Sequence, residues 1–267
     1  MTAGTADSPV CPSRDTLFDR SARLLGPDAL ERMRDARVII FGIGGVGSWT
    51  AETLARTGFA DITMVDADSV APTNINRQLP ATVSTIGLPK VNVMAERLLA
   101  INPDATVTPV HGLYTSETAS QYPLEEYDII FDCIDSLADK ALLILNATRA
   151  VKAARPGRKI QFYSSMGAAL KLDPSRIAVT EFWKVKGCPL AAALRRRFKK
   201  SGEMPAAKFR CVYSDELVSA HPGYVDPEGP LDDAMTFRKA ATNGSLMHIT
   251  AIFGITLASL AIRDTAD

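Results

Sequence analysis

Val38-Ile39-Ile40-Phe41-Gly42-Ile43-Gly44-Gly45-Val46-Gly47-Ser48 is an apolar run that enters a cluster of glycines and leaves into a helical pattern. A strand buried on both faces of a parallel sheet reads as a short apolar stretch rich in β-branched residues, as Val38 to Phe41 does. Gly42, Gly44 and Gly47 reproduce the G-x-G-x-x-G spacing. That spacing permits a tight turn, close backbone approach to a phosphate and close packing of the next helix. The helix N-terminus then offers unpaired N–H groups and the positive end of its dipole to an anion. The spacing alone most often signals NAD or FAD, and a glycine-rich turn without a ligand is the alternative. The nucleotide is decided further along the chain.

Toward the N-terminus, Arg14 to Arg37 is charged, with apolar residues at helical intervals and Gly26-Pro27 dividing it into two segments. Arg20 and Arg23 lie in the first of these, on what reads as a solvated face. Residues 1–13 are small, polar and proline-bearing, and read as a disordered leader without a signal-peptide pattern. Toward the C-terminus, Ser48 to Thr57 reads as a helix ended by Gly58, and Ile62 to Asp66 as the second parallel strand. Asp66, with Asp68 beyond it, closes that strand where a carboxylate receives ribose hydroxyls.

Next come Thr73-Asn74-Ile75-Asn76-Arg77-Gln78 and Gly87-Leu88-Pro89-Lys90. A dinucleotide fold has no need of asparagine, arginine and lysine gathered just past its ribose carboxylate, whereas a triphosphate needs cations to offset its charge. ATP becomes the favoured nucleotide, with Asn74, Arg77 and Lys90 as its polar contacts; ordinary surface cations are the alternative. A further apolar strand, Tyr127 to Asp132, ends in Asp132-Cys133-Ile134-Asp135. Ligands of doubly wound sheets collect beyond strand carboxyl ends, so Asp132 and Asp135 are both placed for magnesium, with Asp135 preferred; Asp132 serves equally as a turn carboxylate.

The remaining pattern alternates helix and strand: helices over 91–101 and 138–154, strands over 105–110, 160–165 and 177–182. The fold class is therefore α/β, a doubly wound Rossmann-like adenylating domain with a mixed sheet over 14–182 and a C-terminal extension over 183–267. Within that extension, from Lys184 to Arg210, Lys184, Lys186, Arg195, Arg196, Arg197, Lys199, Lys200, Lys208 and Arg210 stand against one acid, Glu203. Arg195, Arg196, Arg197, Lys199 and Lys200 are either phosphate contacts to a nucleic acid or the cationic last turns of a helix over 190–200. Residues 212–236 read as an acidic mobile loop after the strand Cys211 to Ser214, and Ile249 to Ile262 as a buried or interface helix too short to span a bilayer.

The 267 residues carry 30 Lys+Arg and 30 Asp+Glu, so no global field draws the chain to nucleic acid or membrane, and any polyanion site must be local. Its 4 cysteines (Cys11, Cys133, Cys188, Cys211) show no C-x-x-C spacing, which argues against a thiolate zinc site and fits a reduced cytoplasm.

Taken together, Gly42-x-Gly44-Gly45-Val46-Gly47-Ser48, Asp66-x-Asp68-x-Val70, Asn74-x-x-Arg77-Gln78, Pro89-Lys90 and Asp132-x-x-Asp135 resemble the adenylating domain of ubiquitin-activating-type enzymes, over roughly residues 14–182. Within that superfamily the chain most resembles the tRNA-modifying dehydratases of threonylcarbamoyladenosine. This finer likeness rests on Arg23-Leu24-Leu25-Gly26, Ala55-Arg56-Thr57-Gly58, Ile101-Asn102-Pro103, Cys211-Val212-Tyr213-Ser214-x-Glu216, Asn243-Gly244-Ser245 and Phe253-Gly254. The resemblance implies a carboxylate that attacks the α-phosphate of ATP. For this branch the carboxylate is the threonine of a threonylcarbamoyladenosine in a tRNA anticodon loop, and its own ureido group then displaces AMP.

The same resemblance implies that Gly42, Gly44, Gly45, Val46 and Gly47 hold phosphates, that Asp66 and Asp68 serve the ribose end, and that Asp135 holds Mg2+. It also implies a homodimer in which Arg23, with Arg20 as the alternate, reaches the neighbouring site, and it leaves room for a monovalent cation and a sulfur-transfer partner. Carrier-protein activators of the superfamily commonly bear two C-x-x-C pairs for zinc, and this chain has none. Activation of a ubiquitin-like sulfur carrier, an NAD-dependent oxidoreductase and a non-catalytic nucleotide-binding scaffold are the competing functions. Cys211 reads as a packed thiol.

Overall fold

Alternation along the central strand divides the molecule. In the computed structural model, which describes residues 14–219 and 243–267, strand β1 (Arg37–Phe41) sends Val38 and Ile40 to one core layer and Ile39 and Phe41 to the other. Three short helices precede it: α1 (Arg14–Leu17), α2 (Asp19–Leu25) and α3 (Pro27–Asp35). Gly26, at φ 86°, turns the chain between the last two, and Pro27 starts α3 where its missing N–H is harmless.

After β1 the chain alternates: α4 (Gly47–Thr57), β2 (Asp61–Val65), α5 (Lys90–Ile101), β3 (Thr106–Val110), β4 (Ile129–Asp132), α6 (Leu137–Ala153) and β5 (Gln161–Ser165). Then follow β6 (Ile177–Glu181), α7 (Pro189–Ser201), β7 (Arg210–Ser214) and α8 (Met247–Ala266). The seven strands lie in the order β3-β2-β1-β4-β5-β7-β6. All neighbours are parallel except β6 and β7. The order reverses between β1 and β4, which opens a crevice beyond their carboxyl ends. Residues of α3, α4, α5 and α8 fill one face of the sheet, and α6 and α7 the other.

Two sequence expectations change here. The last helix runs 20 residues, Met247–Ala266, rather than stopping at Ile262. Its C-terminal turn is extended by tertiary contact, since Arg32 donates Nε to the Thr265 carbonyl at 2.8 Å and Nη2 to that of Ala266 at 2.5 Å. By length and composition it could cross a membrane, but half of it is buried in the core against α3 and α4. Gly254 lets it approach closely: a Cβ there would lie 2.8 Å from that of Trp49, and Thr50 Oγ1 donates to the Gly254 carbonyl at 3.2 Å.

The strand expected over Cys211 to Ser214 forms as the inner strand β7, with Cys211 and Val212 at no exposure, but the stretch after it, expected to be mobile, is pinned where it begins. Glu216 is buried, and its carboxylate accepts the N–H groups of Leu172 and Asp173, both at 2.9 Å. Lys171 Nζ returns the bond to the Glu216 carbonyl at 2.6 Å. Residues 220–236 of that stretch, like the 1–13 leader, lie outside the described residues.

Candidate ATP site at the strand carboxyl ends

The glycine turn is held by neighbours that leave no room for side chains. Gly42 lies at φ 87°, where a Cβ would fall 2.8 Å from the Cys133 carbonyl oxygen, and its N–H donates to the Val65 carbonyl at 2.8 Å. A Cβ on Gly47 would overlap the Gly42 carbonyl, and one on Gly45 would meet Thr250 of α8 at 3.1 Å. Three elements thus wall the loop, and α4 leaves it with the orphan N–H groups of its first turn.

Asp66, at the end of β2, is oriented before any ligand arrives. Its Oδ2 accepts the Ile43 N–H at 2.6 Å and its Oδ1 that of Asp68 at 2.8 Å. Burial pushes its carboxyl above the usual range, against the opposing pull of Lys90 and of those two N–H groups. Lys90, first residue of α5, is buried, with Nζ on Asp68 Oδ2 at 2.8 Å while Asp68 itself stays 72% exposed. Its own N–H bonds the Asp68 carbonyl at 3.0 Å, and together with the Val70 N–H on the Leu88 carbonyl at 2.9 Å this closes the crossover between β2 and α5 at its base.

Asn74 is buried in a short 3-10 turn, where its Oδ1 accepts the Ala71 N–H at 3.0 Å. Arg77 is held by the Thr73 carbonyl and Asn76 Oδ1, both at 2.8 Å. Burial lowers its guanidinium, the charge of Asp135 works the other way, and it stays cationic at any working pH. Trp49 Nε1 donates to the Arg77 carbonyl at 3.3 Å, which ties the cation to α4.

Asp132 and Asp135 separate completely. Asp132 has no exposure, pairs with the equally buried Lys140 at 2.8 Å, and accepts Ser164 Oγ at 2.7 Å and the Ile134 N–H at 3.2 Å. Burial raises its carboxyl despite the cation beside it. It is a fully buried structural carboxylate paired with a buried cation, which corrects its reading as a magnesium candidate. Asp135 is exposed at the mouth of the crevice. Lys140 escaped the sequence reading, although a lysine on the buried stripe that also carries Ile144 and Thr148 needs a buried anion.

The glycine loop, Asp66, Asp68, Asn74, Arg77, Lys90 and Asp135 therefore lie at one end of the sheet, on β1, β2, β4 and the segments after them. Arg23 stands apart on α2, bonded to Asp19 of its own helix at 2.8 Å. The basic run lies on α7, where Arg195 turns inward: its Nη1 donates to the Phe182 and Val185 carbonyls at 3.2 and 2.9 Å, and it covers the Phe182 ring. That geometry removes it from the exposed phosphate contacts, leaving Arg196, Arg197, Lys199 and Lys200. Gln78, not singled out in the sequence as a ligand contact, is buried beneath Gly44, and its Oε1 has no partner among the described residues. The glycine cradle with the helix N-terminus behind it, next to the cations Arg77 and Lys90, fits a polyphosphate nucleotide. Burial pushes the thiol of Cys133 up to about 12 and that of Cys211 well above its ordinary value, so neither is poised as a nucleophile.

The profile of the ThiF family matches residues 18–263. The chain belongs to the ThiF family. Among ThiF-family and related proteins, the tRNA threonylcarbamoyladenosine dehydratase of Escherichia coli (strain K12) is 39% identical, over 92% of this chain and 92% of that protein. The dehydratase of the same name from Bacillus subtilis (strain 168) is 32% identical, over 92% and 93%. The crystal structure of the E. coli dehydratase in complex with ATP superposes with a TM-score of 0.78 at 36% identity, covering 96% of this chain and 97% of that one. The Rossmann-like fold expected from the glycine loop is thus the fold of this family.

Proposed function

We propose that this chain uses ATP to dehydrate, and so cyclise, threonylcarbamoyladenosine in tRNA. One observation carries the reading: the glycine loop, Asp66, Arg77, Lys90 and Asp135 converge at one sheet end in a chain that matches dehydratases of that name along nine-tenths of its length. An oxygen of the threonine carboxylate attacks the α-phosphorus of ATP, and the bond to pyrophosphate breaks. The ureido group of the same nucleoside then attacks the activated carbonyl carbon and loses its proton, and AMP departs as the ring closes. Nucleophile and electrophile share one molecule at high effective concentration, so the protein need supply only position and charge.

Lys90, buried, and Arg77, half-buried, would oppose the negative charge that grows on the phosphates. Asp66, fixed by two backbone N–H groups, would receive the ribose hydroxyls. Asp135 would hold Mg2+, which supplies further neutralisation of the triphosphate. The reading includes a homodimer in a reducing cytoplasm, with Arg23 reaching into the neighbouring copy; its support is a guanidinium that is 74% exposed and held only by an exposed pair.

The purified protein tests this with threonylcarbamoylated tRNA, the same tRNA unmodified, and no RNA. AMP formed only with the modified tRNA, with loss of one water from the nucleoside, is the expected result. AMP without RNA dependence would overturn it in favour of a carrier-protein activator.

A further inference from the structure

The exposed cations of α7 do not stand on a flat helix face. Between α6 and α7 opens a recess of about 440 Å³, floored by Ala138, Ala141, Leu142 and Leu145 of α6 and bounded by Arg197 and Lys200 of α7. Its volume lies in the ~300–1,000 Å³ range of pockets that take small organic groups. Ala138 follows Asp135 by less than one helical turn, so the recess begins beside the carboxylate at the mouth of the ATP site.

Charge and surface chemistry narrow its occupant. Glu203, the acid at its rim, is engaged by Arg149 at 2.9 Å, and Arg195 is bonded to backbone carbonyls, which leaves Arg196, Arg197, Lys199 and Lys200 exposed without a matching anion among the described residues. An aliphatic floor accepts the face of an unstacked base, and flanking cations accept the phosphates on either side of it. A base-paired helix cannot offer a base in this way, whereas a single-stranded loop can.

We infer that the recess between α6 and α7 receives a nucleotide neighbouring the reacting one in a single-stranded RNA loop, its base on Leu142 and Leu145 and its phosphates on Arg197 and Lys200. The inference rests on the RNA-directed reaction proposed above. It extends that reaction by a second contact, which selects for loop RNA.

The test uses the full chain and measures affinity for threonylcarbamoylated tRNA across a salt series. Ala138→Trp, at an exposed position, fills the mouth of the recess, and at least a tenfold loss of affinity is expected. Arg197→Ala with Lys200→Ala should flatten the slope of log K against log salt by about 1.4, at roughly 0.7 per single-strand phosphate contact. The rise in melting temperature that ATP gives each variant checks that it has folded.

Wild-type affinity in a folded Ala138→Trp protein, or an unchanged slope in the double variant, overturns the docking. Modified-tRNA-dependent AMP release by the wild type reports separately on the reaction. If that release persists while both variants bind as wild type, the docking alone fails. If it is absent while the variants still weaken binding, the reaction alone fails.

Discussion

Two lysine–aspartate pairs in this molecule have the same length, 2.8 Å, and opposite character. Lys140 and Asp132, behind the β4 loop, are both withdrawn from water, and Ser164, the Ile134 N–H and the Ile134 carbonyl bond them further. In the crossover after β2, Lys90 is 5% exposed but its partner Asp68 is 72% exposed. The first pair is closed and holds the loop that carries Asp135 against the glycine turn. The second is open on one side, so its buried cation can exchange a solvated carboxylate for a phosphate at little loss. Distance does not separate structure from function here; the solvation of the weaker-held partner does.

The closed pair should break hardest. Lys140→Met leaves a buried carboxylate alone, a destabilisation of roughly 3–5 kcal/mol in urea unfolding at pH 8. Asp132 in that variant has a raised folded pKa, so the folded state binds more protons than the unfolded one. The deficit should therefore grow as pH rises through that pKa and shrink as pH falls toward 4. Asp132→Asn combined with Lys140→Met should recover most of the loss; a double variant as unstable as the single one would contradict a closed pair.

The open pair should break in rate rather than in folding. Lys90→Ala or Arg77→Ala should slow modified-tRNA-dependent AMP release by about 10²–10³-fold, the effect of removing one positioned donor from a developing negative charge. The loss of folding stability should stay well below that of Lys140→Met. AMP release at the wild-type rate would return both cations to the status of surface charge.

Glu52 offers an intermediate case. Burial raises its carboxyl, but the hydrogen bonds from Arg97 and Arg56 outweigh burial and lower it below its ordinary value. A lowered folded pKa contributes stability above the unfolded pKa and loses it as pH falls. Arg97→Ala should thus cost about 1.5 kcal/mol at pH 7 and progressively less below pH 4.5, as charge-assisted bonds to Glu52 vanish in both proteins.

The smallest folding effect belongs to Arg23, whose pair with Asp19 is exposed on both sides. Arg23→Ala should change stability by under about 0.5 kcal/mol. If a second copy uses it, AMP release should still fall, and mixing with Arg77→Ala protein should restore part of the activity.

Much of this was legible before any coordinates. The glycine run, the strand-end carboxylates and the cations after β2 are short-range signals, because each sits at the end of an element whose period is readable. What escaped was long-range. Nothing in Cys211 to Ser214 reveals that β7 enters between β5 and β6, since strand order is set by pairing across many residues. The choice between Asp132 and Asp135 depended on Lys140, five residues beyond the loop in α6, and on Ser164 in a different strand. The length of α8 depended on Arg32, at the other end of the chain.

The packing of α8 against the glycine turn has a consequence for synthesis. Thr250 and Gly254 form the wall behind Gly45 and Val46, and no element made earlier supplies that surface. A ribosome has translated β1, β2 and β4 long before it delivers this helix. The nascent chain therefore carries the sequence of its nucleotide loop without the wall that shapes it until α8 has emerged, and competence for ATP must wait for that helix.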